Sequence, residues 1–382
     1  MIESLVINKK YRLIHISEGE QEVWLENISS KKYPFIRLRR IDLDWSSFLK
    51  RDIESVLYRG NQVRQAVLKR DFSILNIYVS EQLPVDDYEH IFEASKAPSG
   101  NKVHVQSMIV SVVNLHQSLQ QLTDILGNEI LLSLKREYDL NEIEKIKRRV
   151  INISIEEEKK EKNLLSFGKP LFTYLFIGLQ VLMFIILELA GGSENPYVLI
   201  EYGAKFNLFI LAGEWWRFIT PIFLHIGFLH LFMNSLALYY LGSTVEKIYG
   251  SSRFLLIYLF SGFLGVVGSF IFNPSISAGA SGAIFGCFGA LLYFGLVHPR
   301  IFLRTLGSNI IILLGINLVL GFIVPSIDNA GHIGGLIGGF LAAGVVHFPK
   351  NKKLTQQALF LIGTFFLTSV ALYFGYHFPN LP

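Results

Sequence analysis

Five side chains in this sequence have the types and spacing for acyl transfer. Ser281 lies in Gly279-Ala280-Ser281-Gly282, His332 in Gly331-His332-Ile333-Gly334-Gly335, and His225, His230 and Asn234 lie upstream. A serine hydroxyl is a poor nucleophile at neutral pH and needs a base to take its proton. About fifty residues separate Ser281 from His332, so the chemistry requires a fold that brings two segments together. Ser281 would then attack a carbonyl, and His332 would accept its proton and return it to the leaving group. The developing oxyanion needs fixed donors, and His230, Asn234 and the backbone N–H of Ser281 are available. His230 and Asn234 are i and i+4, one face of a helix. Asp328, four residues before His332, could orient the ring as a third member. It sits just outside the helix, where it could equally face water, and a dyad is the preferred reading. This chemistry needs no metal or cofactor.

The surroundings of these residues are apolar. Of the chain's 382 residues 51% are hydrophobic, and 51 of the 66 Asp, Glu, Lys and Arg fall in residues 1–169. The sequence therefore reads as two unlike parts, a soluble domain followed by a segment that lives in lipid. A net charge of +4 is modest and calls for no nucleic-acid partner. The single cysteine, Cys287, excludes an intramolecular disulfide and reads as a small buried residue. No apolar h-region occurs in the first thirty residues, so no cleavable signal peptide is expected.

A spanning helix needs roughly 20 apolar residues. Seven are placed, at 171–190, 222–243, 254–272, 281–298, 305–324, 330–348 and 355–376. Connections at 244–252, 299–304 and 349–354 carry Lys247, Arg253, Arg300, Arg304, Lys350, Lys352 and Lys353, whereas the opposite side carries only Lys205 and Arg217. By the positive-inside rule the N-terminal domain is cytoplasmic and the C-terminus outside. The loop at 191–221, with Trp215-Trp216-Arg217-Phe218, is either partly interfacial or an ordinary outer loop.

Residues 1–150 alternate between strand and helix patterns. Tyr11–Ser17, Glu22–Asn27, Pro34–Arg40, Phe72–Val79 and Val103–Ser111 read as strands. Trp45–Leu68, Asp86–Lys96, Leu115–Leu126 and Glu129–Val150 read as helices, with a turn at Pro98-Ser99-Gly100. His15, Asp42, Asp44, Asp71, Asp86, Asp87, His90 and His104 lack metal-ligand spacing and read as solvated surface. The expected organisation is a soluble cytosolic α/β (α+β) domain at 1–150, a charged linker at 151–169, a six-helix core at 170–348 and an additional transmembrane helix at 349–382.

With this topology Ser281, His332, His225, His230 and Asn234 fall at one depth near the outer surface, and ionisable groups in a membrane default to a functional hypothesis. Gly282 and Gly286, with Gly331, Gly335 and Gly339 and with Gly334 and Gly338, would let helix backbones approach closely. Each signal alone would more often mean packing; the combination is harder to explain that way.

The set resembles the rhomboid intramembrane serine proteases. The similar stretches are Glu214-Trp215-Trp216-Arg217, His225 through Asn234, Gly242-Ser243-Thr244-Val245-Glu246-Lys247, Gly279-Ala280-Ser281-Gly282 and Gly331-His332-Ile333-Gly334-Gly335, over about residues 170–348. The resemblance implies an all-α membrane bundle of seven transmembrane helices of the six-plus-one type, found in a bacterial plasma membrane. It implies a Ser281–His332 dyad and an oxyanion and substrate-binding site with His230, Asn234 and Gly282. Structural support would come from His225, Trp216, Arg217, Glu246 and Phe285. Many members carry a tyrosine where this chain has Phe285, stacked under the histidine; the ring is kept here and the hydroxyl is not. The fifth helix and the loop after it would gate lateral entry of single-span membrane substrates from the bilayer. A transporter using the same polar cluster would continue the polar path inward, which helices two, four and six do not. A non-proteolytic binder of membrane helices would tolerate loss of Ser281. For the N-terminal domain, regulation or substrate recruitment through a partner or ligand is preferred to a second enzyme.

Overall fold

The computed structural model describes residues 1–28, 30–65, 71–96, 102–127, 138–351 and 353–381. The turn expected at Pro98-Ser99-Gly100, the ends of two predicted helices (66–68 and 129–137) and Lys352 lie outside these. The chain divides into two compact units, Met1–Lys160 and Glu161–Pro382.

The first unit is built on a five-stranded sheet in the order β1 (Arg12–Ile16), β2 (Glu22–Glu26), β3 (Phe35–Arg40), β4 (Phe72–Ser80), β5 (Val103–Ser111). The first three strands are antiparallel and the last three parallel. Parallel neighbours need crossovers: α2 (Ser46–Val63) joins β3 to β4 and α3 (Glu89–Lys96) joins β4 to β5. The remaining helices are α1 (Ile2–Ile7), α4 (Leu115–Leu126) and α5 (Leu140–Leu165). The charged run 156–162, read as a connector, is the last part of α5. Alternate strand residues face opposite sides. Ile36, Leu38, Leu75 and Ile77 pack with Leu5, Leu122 and Val150 on one face. Phe35, Ile74 and Tyr78 pack with Leu49, Ile53 and Val56 of α2 on the other.

A polar row crosses that second face. Trp24 pairs with Arg37, Arg37 with Asn76 and Asn76 with Ser107 in the strand register. Arg37 is only 2% exposed and donates to Asp52 of α2 (2.5 and 3.1 Å), Glu22 (3.0 Å) and Asn76 (3.1 Å). Arg39 and the Tyr78 hydroxyl also donate to Asp52. Burial would raise the Glu22 carboxyl, but hydrogen bonds from Arg37 and Trp24 and the charges of Arg37 and Arg39 bring it from 4.5 to about 2. Asp52 is likewise lowered by Arg37, Tyr78 and Arg39 against the effect of burial. Both folded values lie below the unfolded ones, so their stabilisation is fully present above the ordinary carboxylate range and is lost as pH falls toward about 2. Protection of the β3 and β4 amides against hydrogen exchange should therefore weaken between mildly and strongly acidic conditions. Unchanged protection would contradict this account.

The second unit is helical: α6 (Phe172–Leu189), α7 (Pro196–Glu201), α8 (Asn207–Leu211), α9 (Phe228–Ala237), α10 (Ser243–Tyr249), α11 (Ser251–Phe272), α12 (Ser281–Val297), α13 (Pro299–Thr305), α14 (Gly307–Ile323), α15 (Asn329–Val346) and α16 (Leu354–His377). Among the described residues α6, α11, α15 and α16 are long and apolar enough to cross a membrane, and α13 with α14, bent by 73°, makes a fifth if the pair is one span. α12 is a shorter apolar helix of 17 residues. The span expected at 222–243 is a broken one. A 3-10 turn at Thr220–Phe223 precedes α9, and a single wide turn at Leu238–Gly242 joins α9 to α10. Gly227, at φ 76°, ends any continuous helix before α9. His225 therefore lies ahead of that helix rather than within it.

α11, α12 and α15 form the centre. Gly335 and Gly339 face α12, Gly334 and Gly338 face α11, and the space at Gly331 is taken by the Asp328 side chain. A methyl group on Gly335 would lie 2.6 Å from the Gly282 carbonyl carbon, and one on Gly334 3.3 Å from the Gly265 Cα. Small residues let backbones touch where lipid supplies no hydrophobic drive between helices. α6 is anchored by Glu246, fully buried, whose carboxylate accepts from the backbone N–H groups of Leu171 (2.8 Å), Phe172 (3.0 Å) and Thr173 (2.9 Å) and from the Thr173 hydroxyl (2.7 Å). These are donors that a helix start leaves without intrahelical partners.

Candidate active site

Ser281 is the first residue of α12 and His332 the fourth of α15. Their neighbours fix the approach: a methyl group on Gly282 would lie 3.4 Å from the carbonyl oxygen of Gly331 and 3.4 Å from the Cα of Gly265. The close approach of α12 and α15 at Gly282 and Gly331 thus brings together the N-terminal ends of the two helices that carry Ser281 and His332.

The His332 ring is buried and stacked on Phe285, one turn below Ser281, with centroids 4.1 Å apart and planes 11° from parallel. Stacking fixes the ring plane without the hydroxyl that a tyrosine would bring. The segment leading to Ser281 is held separately. Gly279 N–H donates to Pro221 O (2.9 Å) and Ala280 N–H to His225 Nε2 (3.4 Å). Gly279 has φ +140°, and a methyl group there would come within 2.9 Å of His230 Nε2; only glycine allows both the backbone angle and the approach.

His225 and His230 meet edge to face, centroids 5.2 Å apart. His230 Nδ1 accepts from Ile226 N–H (3.4 Å), which places the ring proton on Nε2, the nitrogen facing Gly279. Asn234 is buried and donates one amide hydrogen to the His230 carbonyl (2.9 Å), leaving its second amide hydrogen for another acceptor. Four elements therefore converge: the His225 segment, α9, the N-terminus of α12 and that of α15.

The Trp-Arg stretch divides. Arg217 is buried, donating to Glu214 (2.6 Å) and to the carbonyls of Ile200 (2.7 Å) and Ala204 (2.8 Å). Trp215 and Trp216 turn outward, 69% and 44% exposed. The arginine thus closes the loop from inside instead of reaching for headgroups. Cys287 is fully buried, as read.

Two features escaped the sequence reading. Asp328 caps α15: its side chain accepts from Gly331 N–H at 3.0 Å, the geometry of an N-cap aspartate. The order Asp328-Asn329-Ala330-Gly331, an Asp just before an apolar run, was the available signal. Lys205, noted only as a loop charge, is fully buried, and nothing in its local sequence announces that.

A rhomboid-domain family model matches residues 212–349. The chain is 42% identical over 382 residues to Rhomboid protease GluP of Bacillus subtilis (strain 168), covering 99% of this chain and 74% of that one. It is 37% identical over 186 residues to Putative rhomboid protease YdcA of the same organism (48% of this chain, 92% of that one). It is 41% identical over 159 residues to RHOMBOID-like protein 1 of Arabidopsis thaliana (39% and 41%). The apolar helices, the glycine-packed centre and these matches give one conclusion: the chain is a multi-pass membrane protein and belongs to the rhomboid family of intramembrane serine proteases.

Proposed function

We propose that Ser281 is the nucleophile and His332 the base of this protease, with His230 Nε2–H, the free Asn234 amide hydrogen and the backbone at Ser281 and Gly282 receiving the oxyanion. The observation that carries the assignment is the stacking of His332 on Phe285 at the point where α12 and α15 touch through glycine. His225, Trp216, Arg217, Glu246 and Phe285 support the site without touching the reacting atoms. Asp328 acts as a helix cap, so the base works in a dyad. The seven expected spans put the N-terminal domain (1–150) in the cytoplasm of a bacterial cell, with 151–169 as linker, 170–348 as the six-helix protease core and 349–382 as the added helix ending outside. Substrates are single-span membrane proteins, cut near the outer end of the span. A spanning helix satisfies its own backbone, so it must unwind locally before a carbonyl can be attacked. The N-terminal domain regulates or recruits through a partner or ligand.

The test uses the full chain in sealed liposomes with a tagged single-span substrate and a water-soluble fluorophosphonate probe. Cleavage is expected, with the probe on Ser281 and labelling lost in His332→Ala. A labelled residue other than Ser281, or labelling indifferent to His332, would sink the residue assignment.

A further inference from the structure

Lys205 lies between α7 and α8, fully buried. Burying an ammonium is costly unless it is paired and hydrogen-bonded, and its partners all belong to one place. The Nζ donates to the carbonyls of Asn273 and Ser275 (3.0 Å for the latter), at the end of α11 and in the segment running to Ser281. Its backbone pairs in both directions with Ser277, at 2.9 and 3.1 Å, four residues before the nucleophile. Asp328, the cap of the His332 helix, acts on it electrostatically.

We infer that Lys205 is a positioning residue for proteolysis, a cationic clamp that ties the segment delivering Ser281 to the loop between α7 and α8. This rests on the Ser281–His332 assignment for its consequence in catalysis, though not for the clamp itself. An aliphatic side chain of similar length would fill the same space without donating to the carbonyls of Asn273 and Ser275. Small displacements at a nucleophile are costly because the reacting atoms must sit in near-attack geometry.

A charged clamp should be pH-sensitive. Burial pushes the Lys205 amine down to about 8, while Asp328 pulls it up. No Asp, Glu, Lys or Arg occurs from 254 to 299; Asp328 acts on it across the packed elements, and the Arg217–Glu214 pair lies beside it at the Ala204 carbonyl. Loss of the proton removes the attraction to Asp328, and the clamp weakens as pH rises through that value.

The experiment uses the full chain in liposomes and compares wild type, Lys205→Met and Lys205→Arg. Turnover is expressed per site titrated with fluorophosphonate, so a smaller folded fraction does not count as a slower enzyme. In Lys205→Met turnover per site is expected to fall about tenfold or more, with KM little changed. The alkaline decline of wild type should be absent, and Lys205→Arg should recover part of the rate. Backbone hydrogen exchange over 275–282, normalised to α11, should rise in Lys205→Met. It should also rise in wild type from neutral pH to well above 8, a readout that needs neither a variant nor catalysis. Unchanged turnover per site, or exchange over 275–282 flat with pH in wild type, would overturn the inference. A wild type whose fluorophosphonate label falls on a residue other than Ser281, yet which shows the exchange response, would instead overturn the assignment of Ser281 and His332 and leave the clamp standing.

Discussion

Ser281→Ala is expected to lower turnover of a single-span substrate in liposomes by about ten-thousandfold or more, with thermal unfolding unchanged. The substitution removes one hydroxyl at the first position of α12, where the backbone contacts through Gly282 do not depend on the side chain. His332→Ala should cost a similar factor in turnover because the serine then loses the base proposed to take its proton. It should also lower stability by about 0.5–1.5 kcal/mol, the worth of an aromatic pair, since the ring stacked on Phe285 at 4.1 Å is lost. The two effects on rate should not add: once either partner is gone the other has nothing to act with, and the double variant should match the singles. Residual cleavage by Ser281→Ala close to wild type would end the protease assignment for this serine. A double variant far slower than both singles would mean the residues act independently.

The second large effect comes from a methyl group. Gly335→Ala would place its Cβ 2.6 Å from the carbonyl carbon of Gly282 and 2.9 Å from its Cα. Backbone cannot rotate away as a side chain can, so α12 and α15 must separate. Overpacking of this kind costs typically about 1–3 kcal/mol. A shift near 1 Å beside the nucleophile would remove about a hundredfold in rate. Gly363→Ala in α16 is the matched control, because nothing lies within 4 Å of the added methyl. It should be neutral or slightly stabilising, since alanine is favoured over glycine inside a helix. Melting temperature and turnover per titrated site, measured on both in the same lipid, separate the cases. Equal behaviour of the two variants would mean the glycine seam is not what fixes the site.

Much of this was legible in the residues themselves. The five strands of the first unit were found by their β-branched and aromatic runs, and Leu115–Leu126 was found as a helix with both ends right. Gly331, Gly335 and Gly339 announced a bare ridge, although Gly334 and Gly338 turned out to serve a different neighbour, α11. α11 contributes Gly262, Gly265 and Gly268 to the same packing, which an apolar run of uniform hydropathy concealed. His225 was misplaced into a helix because apolar periodicity runs through Leu224–Gly227, whereas the positive φ of Gly227 breaks it. Lys205 was read only as a charge of the outer loop, and Arg217 as structural support there, because sequence shows a charge but not the carbonyls waiting for it. Their burial depends on tertiary hydrogen bonds to residues up to 70 positions away.

The 17 residues of α12 rise about 1.5 Å each, near 26 Å in all, against a hydrocarbon layer of roughly 30 Å. A helix this short, packed against the 22-residue α11, cannot reach both faces of an undeformed bilayer. On the proposed topology, with its inner end at the cytoplasmic boundary, its first residue would sit several ångströms below the outer one, at the floor of a dimple in the bilayer surface. Lipid chains are too bulky to fill such a dimple and water is not. The same shortfall that would be a hydrophobic mismatch in an isolated span would on that topology give hydrolysis its second reactant, and give a water-soluble fluorophosphonate its route to Ser281.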